Sequence, residues 1–122
     1  MSLRVMIVDD ALFMRNVLKD IFVRAGFEVV AEADNGEDAL PLYRQVAPEL
    51  VTMDIIMPKR SGLDALRDII AADPAARVIV VSALGQDVLV LEAVEAGARD
   101  FIVKPFKEAK VLEAVHRVME QG

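Results

Sequence analysis

The feature that most constrains this chain is a fivefold alternation of short apolar runs with segments in which apolar residues recur at helical spacing. Most of the runs are continuous, as in strands that are buried on both faces of a parallel sheet. The runs are Leu3–Val8, Phe27–Ala31, Leu50–Met53, Val78–Val81 and Phe101–Val103. This order predicts an α/β fold, namely a doubly wound five-stranded parallel sheet with five helices and right-handed crossovers.

Three of the intervening segments carry an apolar stripe that could pack against such a sheet. The stripes are Leu12, Val17, Ile21 and Phe22; Leu63, Leu66, Ile69 and Ile70; and Val111, Leu112, Val115 and Met119. The segment between the second and third runs, NGEDALPLYRQVAP, places Pro41 about one turn after the expected helix start. Proline inside a helix removes a hydrogen bond and clashes with the preceding turn, so we expect this helix to begin late or to bend there.

The composition restricts the classes of function. A length of 122 residues fits one domain, residues 1–122. The formal charge of -6 argues against broad binding of nucleic acids or anionic membranes. The sequence has no cysteine, which excludes disulfides and thiolate catalysis. Neither a signal peptide nor a membrane-spanning segment is predicted, so we expect a cytoplasmic protein.

Polar side chains stand where four of the five predicted strands end. Asp9 and Asp10 follow the first strand, and Asp54 follows the third. Ser82 follows the fourth strand and Lys104 follows the fifth. In an open α/β sheet, ligands bind beyond the carboxyl ends of the strands, near the point where the strand order reverses. We therefore expect these side chains to share one rim of the sheet.

The residue types on this rim predict a particular chemistry. Carboxylates that lie close together raise one another's pKa unless a cation is present. Hard oxygen ligands without His or Cys suit Mg²⁺, or alternatively Mn²⁺, better than zinc. Lys104 and Ser82 would be redundant in a pure metal site, but they fit an anion that binds beside the metal. The sequence thus predicts a divalent-cation site that serves phosphoryl chemistry.

Each rim residue also has an ordinary structural interpretation. Asp9 or Asp10 could cap the first helix, and Asp54 could stabilise a turn. Lys104 could be a solvated surface lysine. Taken singly, these interpretations are the more common ones, but together they require independent coincidences on one rim.

Four motifs, VDDALFMR, TMDIIMP, VSALG and FIVKPF, occur in the order and at the spacing of a known family. From Leu3 to Gln121 the chain resembles the receiver domain of two-component response regulators, and in particular the single-domain chemotaxis regulators. The resemblance implies a flavodoxin-like, CheY-like fold. It also implies a switch, phosphorylated once per molecule and then hydrolysed, instead of a conventional enzyme.

The resemblance assigns roles to the rim residues. Asp54 would accept a phosphoryl group from a sensor histidine kinase, and Lys104 would contact that group. Asp10, Asp54 and the backbone carbonyl of Ile56 would bind Mg²⁺ directly. Asp9 would act on the metal through water or from outside the ligand set.

The resemblance also implies an output surface. Ser82 would be the switch hydroxyl, and Phe101 the aromatic residue whose rotamer follows it. The Lys104–Pro105 peptide bond would be cis. A downstream protein target would bind the face made by the fourth helix, the fifth strand and the fifth helix. Four consecutive apolar residues in the fourth helix cannot all face the core, and we expect Val90 and Val94 to be exposed there.

Several functions remain open at this stage. A chemotaxis-type switch is favoured over a phosphorelay intermediate and over a receiver excised from a larger transcriptional regulator. A metal-dependent phosphatase is disfavoured because Ile55 and Ile56, and not a second carboxylate, follow Asp54. We expect a monomer, with dimerisation on phosphorylation as the alternative.

Overall fold

The structure, a computed structural model that describes residues 2–121, confirms the alternation of strands and helices. The strands are β1 (Arg4–Val8), β2 (Glu28–Ala33), β3 (Leu50–Met53), β4 (Val78–Ser82) and β5 (Asp100–Val103). The helices are α1 (Leu12–Arg24), α2 (Ala39–Val46), α3 (Gly62–Ala72), α4 (Asp87–Glu95) and α5 (Glu108–Glu120). The strands are parallel in the order β2-β1-β3-β4-β5, so the order reverses between β1 and β3. The carboxyl ends of these two strands are where a ligand is expected.

The bounds of β3 are as predicted, and those of the other four strands differ from the predicted ones by one or two residues. The largest difference is at β2, which runs to Ala33 and not to Ala31. It continues because its backbone pairs with β1 as far as Val8, opposite Ala33. An edge strand tolerates the polar Glu32 on the way because that side chain does not have to be buried.

Each face of the sheet has its own apolar core. Helices α1 and α5 cover one face, and α2, α3 and α4 cover the other. Successive residues of β3 alternate between the two cores: Leu50 packs with α1 and α5, and Val51 packs with α2 and α3. Burial of such a side chain contributes about 1.5–3 kcal/mol, so both cores hold the sheet in place.

The helices agree with the predicted stripes, with one exception. The α3 and α5 stripes face the cores, but Leu12 at the start of α1 is 61% exposed, and Leu18 is buried there instead. Helix α2 begins late, at Ala39, which puts Pro41 in its first turn, where no helical hydrogen bond is lost. None of the helices in residues 2–121 is long and apolar enough to cross a membrane.

Helix α4 corrects one prediction about exposed residues. Val94 is exposed as expected, but Val90 is partly buried, while Val88 is 76% and Leu91 58% exposed. Leu89 packs with the core, and each further residue turns by about 100° around the helix axis. Val90 therefore lies on the flank of α4, and Leu91 lies on its outer side.

Candidate metal and phosphoryl-transfer site

The three predicted carboxylates meet at the point where the strand order reverses. Asp9 and Asp10 follow β1, and Asp54 follows β3. Val8 pairs with Met53, and the Asp54 amide donates a hydrogen bond to the Val8 carbonyl at 3.0 Å. One oxygen atom from each carboxylate lies within 4.8 Å of the other two. The parallel register of β1 and β3 thus builds the acidic cluster.

Lys104 reaches this cluster from the end of β5. Its Nζ lies 2.9 Å from Asp9 Oδ2 and 3.2 Å from Asp54 Oδ2. The Lys104 amide donates to the Ser82 carbonyl at 2.9 Å, which extends the pairing of β4 and β5 up to the rim. The side chain is only 15% exposed, so Lys104 is not a solvated surface lysine. The Lys104–Pro105 peptide bond is cis, as the resemblance implied.

The site carries an excess of negative charge. Burial raises the pKa of Asp54, the Lys104 ammonium lowers it, and the neighbouring Asp9 charge raises it again, with a net shift upward. Burial alone would lower the pKa of Lys104, but its hydrogen bond to Asp9 and the charge of Asp54 raise it overall. Three carboxylates share one ammonium here, so a divalent cation would relieve a repulsion that Lys104 does not cancel.

The donor set fits Mg²⁺ in its chemistry. Asp10 accepts no hydrogen bond and forms no ion pair through its side chain within residues 2–121, so its carboxylate is available to a metal. Both Asp9 oxygens are engaged, Oδ1 by the Ala11 amide at 2.9 Å and Oδ2 by Lys104. This difference favours direct binding by Asp10 and Asp54 over Asp9. The contribution of the Ile56 carbonyl stays a prediction.

The structure does not support the interpretation that an aspartate caps the first helix. The N-cap position of α1 is Ala11, and no side chain in the described part of the chain caps this helix. The N-cap of α3, in contrast, is Ser61, whose Oγ accepts a hydrogen bond from the Asp64 amide. Neither Asp9 nor Asp10 is therefore explained by a helix-capping role, and both lie at the rim of the sheet.

Ser82 and Phe101 lie on neighbouring strands and on the same face of the sheet. Phe101 pairs with Val80 and packs with the core beneath α4. Ser82 comes two residues after Val80 on β4, which puts its side chain on that same face. Ser82 is buried, and its Oγ accepts a hydrogen bond from the Leu84 amide at 3.2 Å. Their coupled movement remains a prediction.

Two glycines hold the loop after Asp54 by close backbone contact. A Cβ atom added to Gly62 would lie 1.7 Å from the Asp54 carbonyl oxygen, and one added to Gly36 would lie 1.9 Å from the Arg60 carbonyl oxygen. The Gly62 amide also donates to the Ile55 carbonyl at 2.7 Å. The backbone around the candidate phosphoacceptor thus depends on positions where any side chain would collide.

Sequence reasoning missed one residue near the site, Arg15 on α1. Its guanidinium donates to the Asp9 carbonyl oxygen at 2.8 Å and to Glu32 Oε1 at 3.2 Å. Arg15 belongs to the VDDALFMR motif, but nothing in the apolar or acidic pattern distinguishes it from a surface arginine.

With this fold and site, the chain belongs to the response regulator receiver domain family, which it matches over residues 5–116. Among its relatives are chemotaxis proteins named CheY. It is 53% identical to CheY of Thermotoga maritima, over 97% of this chain and 98% of that protein. It is also 53% identical to CheY of Bacillus subtilis, over 98% of this chain and 99% of that protein.

Solved structures of receiver domains have the same fold. One chain in the CheX–CheY–BeF3–Mg²⁺ complex from Borrelia burgdorferi superposes with a TM-score of 0.95 and 41% identity, over 98% of this chain and 90% of that chain. The response regulator domain of Thermotoga maritima CheB has a TM-score of 0.92 and 36% identity, over 100% of this chain and 99% of that chain. The predicted family and the CheY-like fold are confirmed.

Proposed function

We propose that this chain is a phosphorylation-activated signalling switch in which Asp54 accepts a phosphoryl group from a sensor histidine kinase. The observation that carries the proposal is the cluster of Asp9, Asp10 and Asp54, with Lys104 bonded to two of the three carboxylates. Asp10, Asp54 and the Ile56 carbonyl would hold Mg²⁺. The Mg²⁺-containing complex of the Borrelia burgdorferi relative supports this choice of metal.

The chemistry requires a nucleophile and charge neutralisation, and little else. A carboxylate oxygen of Asp54 attacks the phosphorus of a phosphohistidine, the P–N bond breaks, and the imidazole nitrogen keeps the electron pair and takes up a proton. The product is an acyl phosphate on Asp54. Lys104, already within hydrogen-bond distance of Asp54, would contact the phosphoryl oxygens as a point charge. When bound, Mg²⁺ supplies the remaining neutralisation of the transferred group.

Ser82 would respond to the phosphoryl group by forming a hydrogen bond with it. Its oxygen accepts from the Leu84 amide, and no hydrogen bond donated by its hydroxyl is found within residues 2–121. The hydroxyl hydrogen can therefore turn toward a phosphoryl oxygen. A movement of the whole Ser82 side chain toward the phosphoryl group would leave space beneath α4, into which Phe101 could rotate, and the equilibrium between two arrangements of this surface would shift.

The output would be binding of a protein target to the face formed by α4, β5 and α5. The exposed apolar side chains Val88, Leu91 and Val94 lie on the outer side of α4, and Val103 is exposed on β5. Apolar side chains grouped in this way on a small protein are typical of a docking surface. Because the relatives from Thermotoga maritima and Bacillus subtilis are chemotaxis proteins, we infer a chemotaxis-type output in the cytoplasm.

We also infer a switch and not a conventional enzyme. Asp54 is followed by Ile55 and Ile56, so the loop after Asp54 carries no second carboxylate that could act as an acid or base on a small phosphate ester. Each molecule would carry one phosphoryl group and lose it by hydrolysis.

The test is intact-mass spectrometry after incubation with Mg²⁺ and acetyl phosphate. We expect one phosphoryl adduct in the wild type and none in Asp54→Asn. Asp20→Asn is the matched control, because Asp20 is an exposed aspartate paired with Arg24 away from the rim. An adduct that persists in Asp54→Asn, or a wild type that takes up no phosphoryl group with any donor or metal, would contradict the proposal.

A further inference from the structure

The geometry points to Arg15 as a positioning residue for the metal site: by holding the Asp9 carbonyl, it orients the peptide from which the Asp10 carboxylate projects toward Mg²⁺. This inference rests on the proposed function and adds to it a residue outside the acidic cluster.

Asp10 depends on its backbone for its orientation. Its side chain is exposed and has no hydrogen-bond or ion-pair partner among residues 2–121. Asp54, in contrast, is buried and bonded to Lys104. A carboxylate that binds a metal without support from neighbouring groups must receive its direction from the main chain.

Arg15 contacts the main chain immediately before Asp10. The carbonyl of Asp9 and the amide of Asp10 lie in one planar peptide group, so a bond that fixes the carbonyl also fixes the start of Asp10. The Arg15 guanidinium supplies that bond at 2.8 Å. The Asp9 amide on the other side is held by the Ala33 carbonyl at 3.0 Å. Both peptide groups of Asp9 are therefore anchored, one by the sheet and the other by Arg15.

Arg15 is itself well fixed. Its side chain is mostly buried, and its Nε donates to Glu32 Oε1 at 3.2 Å. Its own amide donates to the Ala11 carbonyl at 3.0 Å in the first turn of α1. The planar guanidinium bonds its two acceptors from a rigid fork, whereas the donors of an ammonium rotate at the end of a flexible stem. Glu32 on β2 and the Asp9 carbonyl after β1 are thus tied together through one side chain.

The charge of Arg15 and its proposed positioning role predict opposite changes in Mg²⁺ affinity when Arg15 is removed. As a positive charge near the acidic cluster, Arg15 repels Mg²⁺, so its removal should tighten binding if charge alone matters. If Arg15 positions Asp10, its removal should weaken binding. The loss of an outer partner of a metal ligand typically weakens metal affinity by about 10–100-fold.

The chain offers a matched control for the charge. Lys19 lies one helical turn further along α1, is 51% exposed, and pairs with the same Glu32 at 3.6 Å. It makes no hydrogen bond to Asp9 within residues 2–121. Lys19→Met therefore removes a nearby positive charge without removing the bond to the Asp9 carbonyl.

The experiment is a Mg²⁺ titration of the full chain followed by amide NMR shifts, with the wild type, Arg15→Met, Arg15→Lys and Lys19→Met. We expect Arg15→Met to weaken Mg²⁺ binding about tenfold and Lys19→Met to leave it equal or slightly tighter. Arg15→Lys keeps the charge but not the planar fork, so we expect an intermediate loss. The dispersion of the same spectra shows that each variant is folded, and Arg15→Lys decides the question if Arg15→Met is not.

The outcomes separate this inference from the proposed function. If the wild type is phosphorylated on Asp54 while Arg15→Met binds Mg²⁺ as tightly as the wild type or tighter, the positioning role is wrong and the switch stands. The same holds if Arg15→Lys is folded and equals the wild type. A wild type that binds no Mg²⁺ would overturn both.

Discussion

Helices α3 and α4 lie on the same face of the sheet, but they are attached to it very differently. Helix α3 buries Leu63, Leu66 and Ile69. Among the residues of α4 only Ala93 is buried, and Val88, Leu91 and Val94 are largely exposed. Helix α3 is thus part of the core of the domain, whereas α4 rests on the core through small side chains and the half-buried Leu89.

The difference shows where this fold can change without unfolding. A helix that buries little apolar area loses little stability when it shifts or binds a partner, whereas one that fills a core cannot move without opening a cavity. Helix α3 follows directly from the loop after Asp54, and α4 follows the loop after Ser82. Helix α3 would keep the site around Asp54 in place, and the weakly attached helix α4 would change its position in response to phosphorylation.

The largest predicted effect is the contrast between two leucine truncations. Leu66→Ala should lower the free energy of unfolding by about 2–5 kcal/mol, because it leaves a cavity in a packed core. The matched change on α4, Leu91→Ala, should alter it by no more than about 0.5 kcal/mol. Urea unfolding of both variants measures the two free energies of unfolding. Equal losses of stability would contradict the difference in burial between α3 and α4.

The C-terminal end of α3 provides a second test, with a pH dependence. The Tyr43 hydroxyl donates to Asp73 Oδ2 at 2.7 Å, at the C-cap of α3. Burial, together with the bond to the Asp73 carboxylate and its charge, raises the pKa of Tyr43. Tyr43→Phe should cost about 1.5 kcal/mol, since the acceptor is charged and the site is only partly buried.

The sign of that pH dependence follows from the direction of the shift. A pKa that is higher in the folded than in the unfolded chain stabilises the fold below the unfolded value, about 10 for tyrosine, and this stabilisation is lost as the pH rises further. The wild type should therefore lose stability above pH ~10 through this group, and Tyr43→Phe should lose less. Unfolding measured between about pH 9 and 11 tests this, and the sole tyrosine can be followed by absorbance. A tyrosine that titrates at its ordinary value in the folded protein would contradict the described bond.

Hydrogen exchange compares the two helices directly. We expect the amides of α4 to exchange at least about tenfold faster than those of α3, which corresponds to an opening free energy lower by about 1.4 kcal/mol. Helix α5, which buries Val111, Val115 and Val118, is the internal control and should behave like α3. Uniform protection of all three helices would show that burial does not decide their local stability.

The smallest predicted effect concerns the helix starts. Ser61→Ala removes the side-chain cap of α3 and should cost about 1 kcal/mol. The N-cap of α4 is Gln86, whose side chain makes no capping bond among the described residues, so Gln86→Ala should be nearly neutral. Thermal or urea unfolding of both variants gives the difference. A costly Gln86→Ala would contradict this and show that the Gln86 side chain does stabilise the start of α4.

Much of this arrangement could be predicted because it follows from periodic burial. Continuous apolar runs predict strands buried on two faces, and the topology then places Asp9, Asp54 and Lys104 on one rim.

The exposure of Val90 could not be predicted, because the rotation of α4 about its axis is set by the packing of Leu89, which helical spacing alone does not determine. Arg15 was missed because its partner is a backbone carbonyl, and a side-chain pattern contains no sign of such a bond. The bond between Tyr43 and Asp73 joins residues 30 positions apart, beyond the reach of any local motif.

The two glycines that contact the loop after Asp54 also affect how genetic data on this protein would be interpreted. At Gly62 and Gly36 even a methyl group would meet a backbone oxygen, 1.7 Å and 1.9 Å away respectively. A saturation-mutagenesis screen for signalling should therefore find both positions as intolerant as Asp54, although neither glycine takes part in the chemistry. The difference would appear on replacing Asp54 with Asn, which is close in size and keeps the fold, while the glycines have no such conservative replacement.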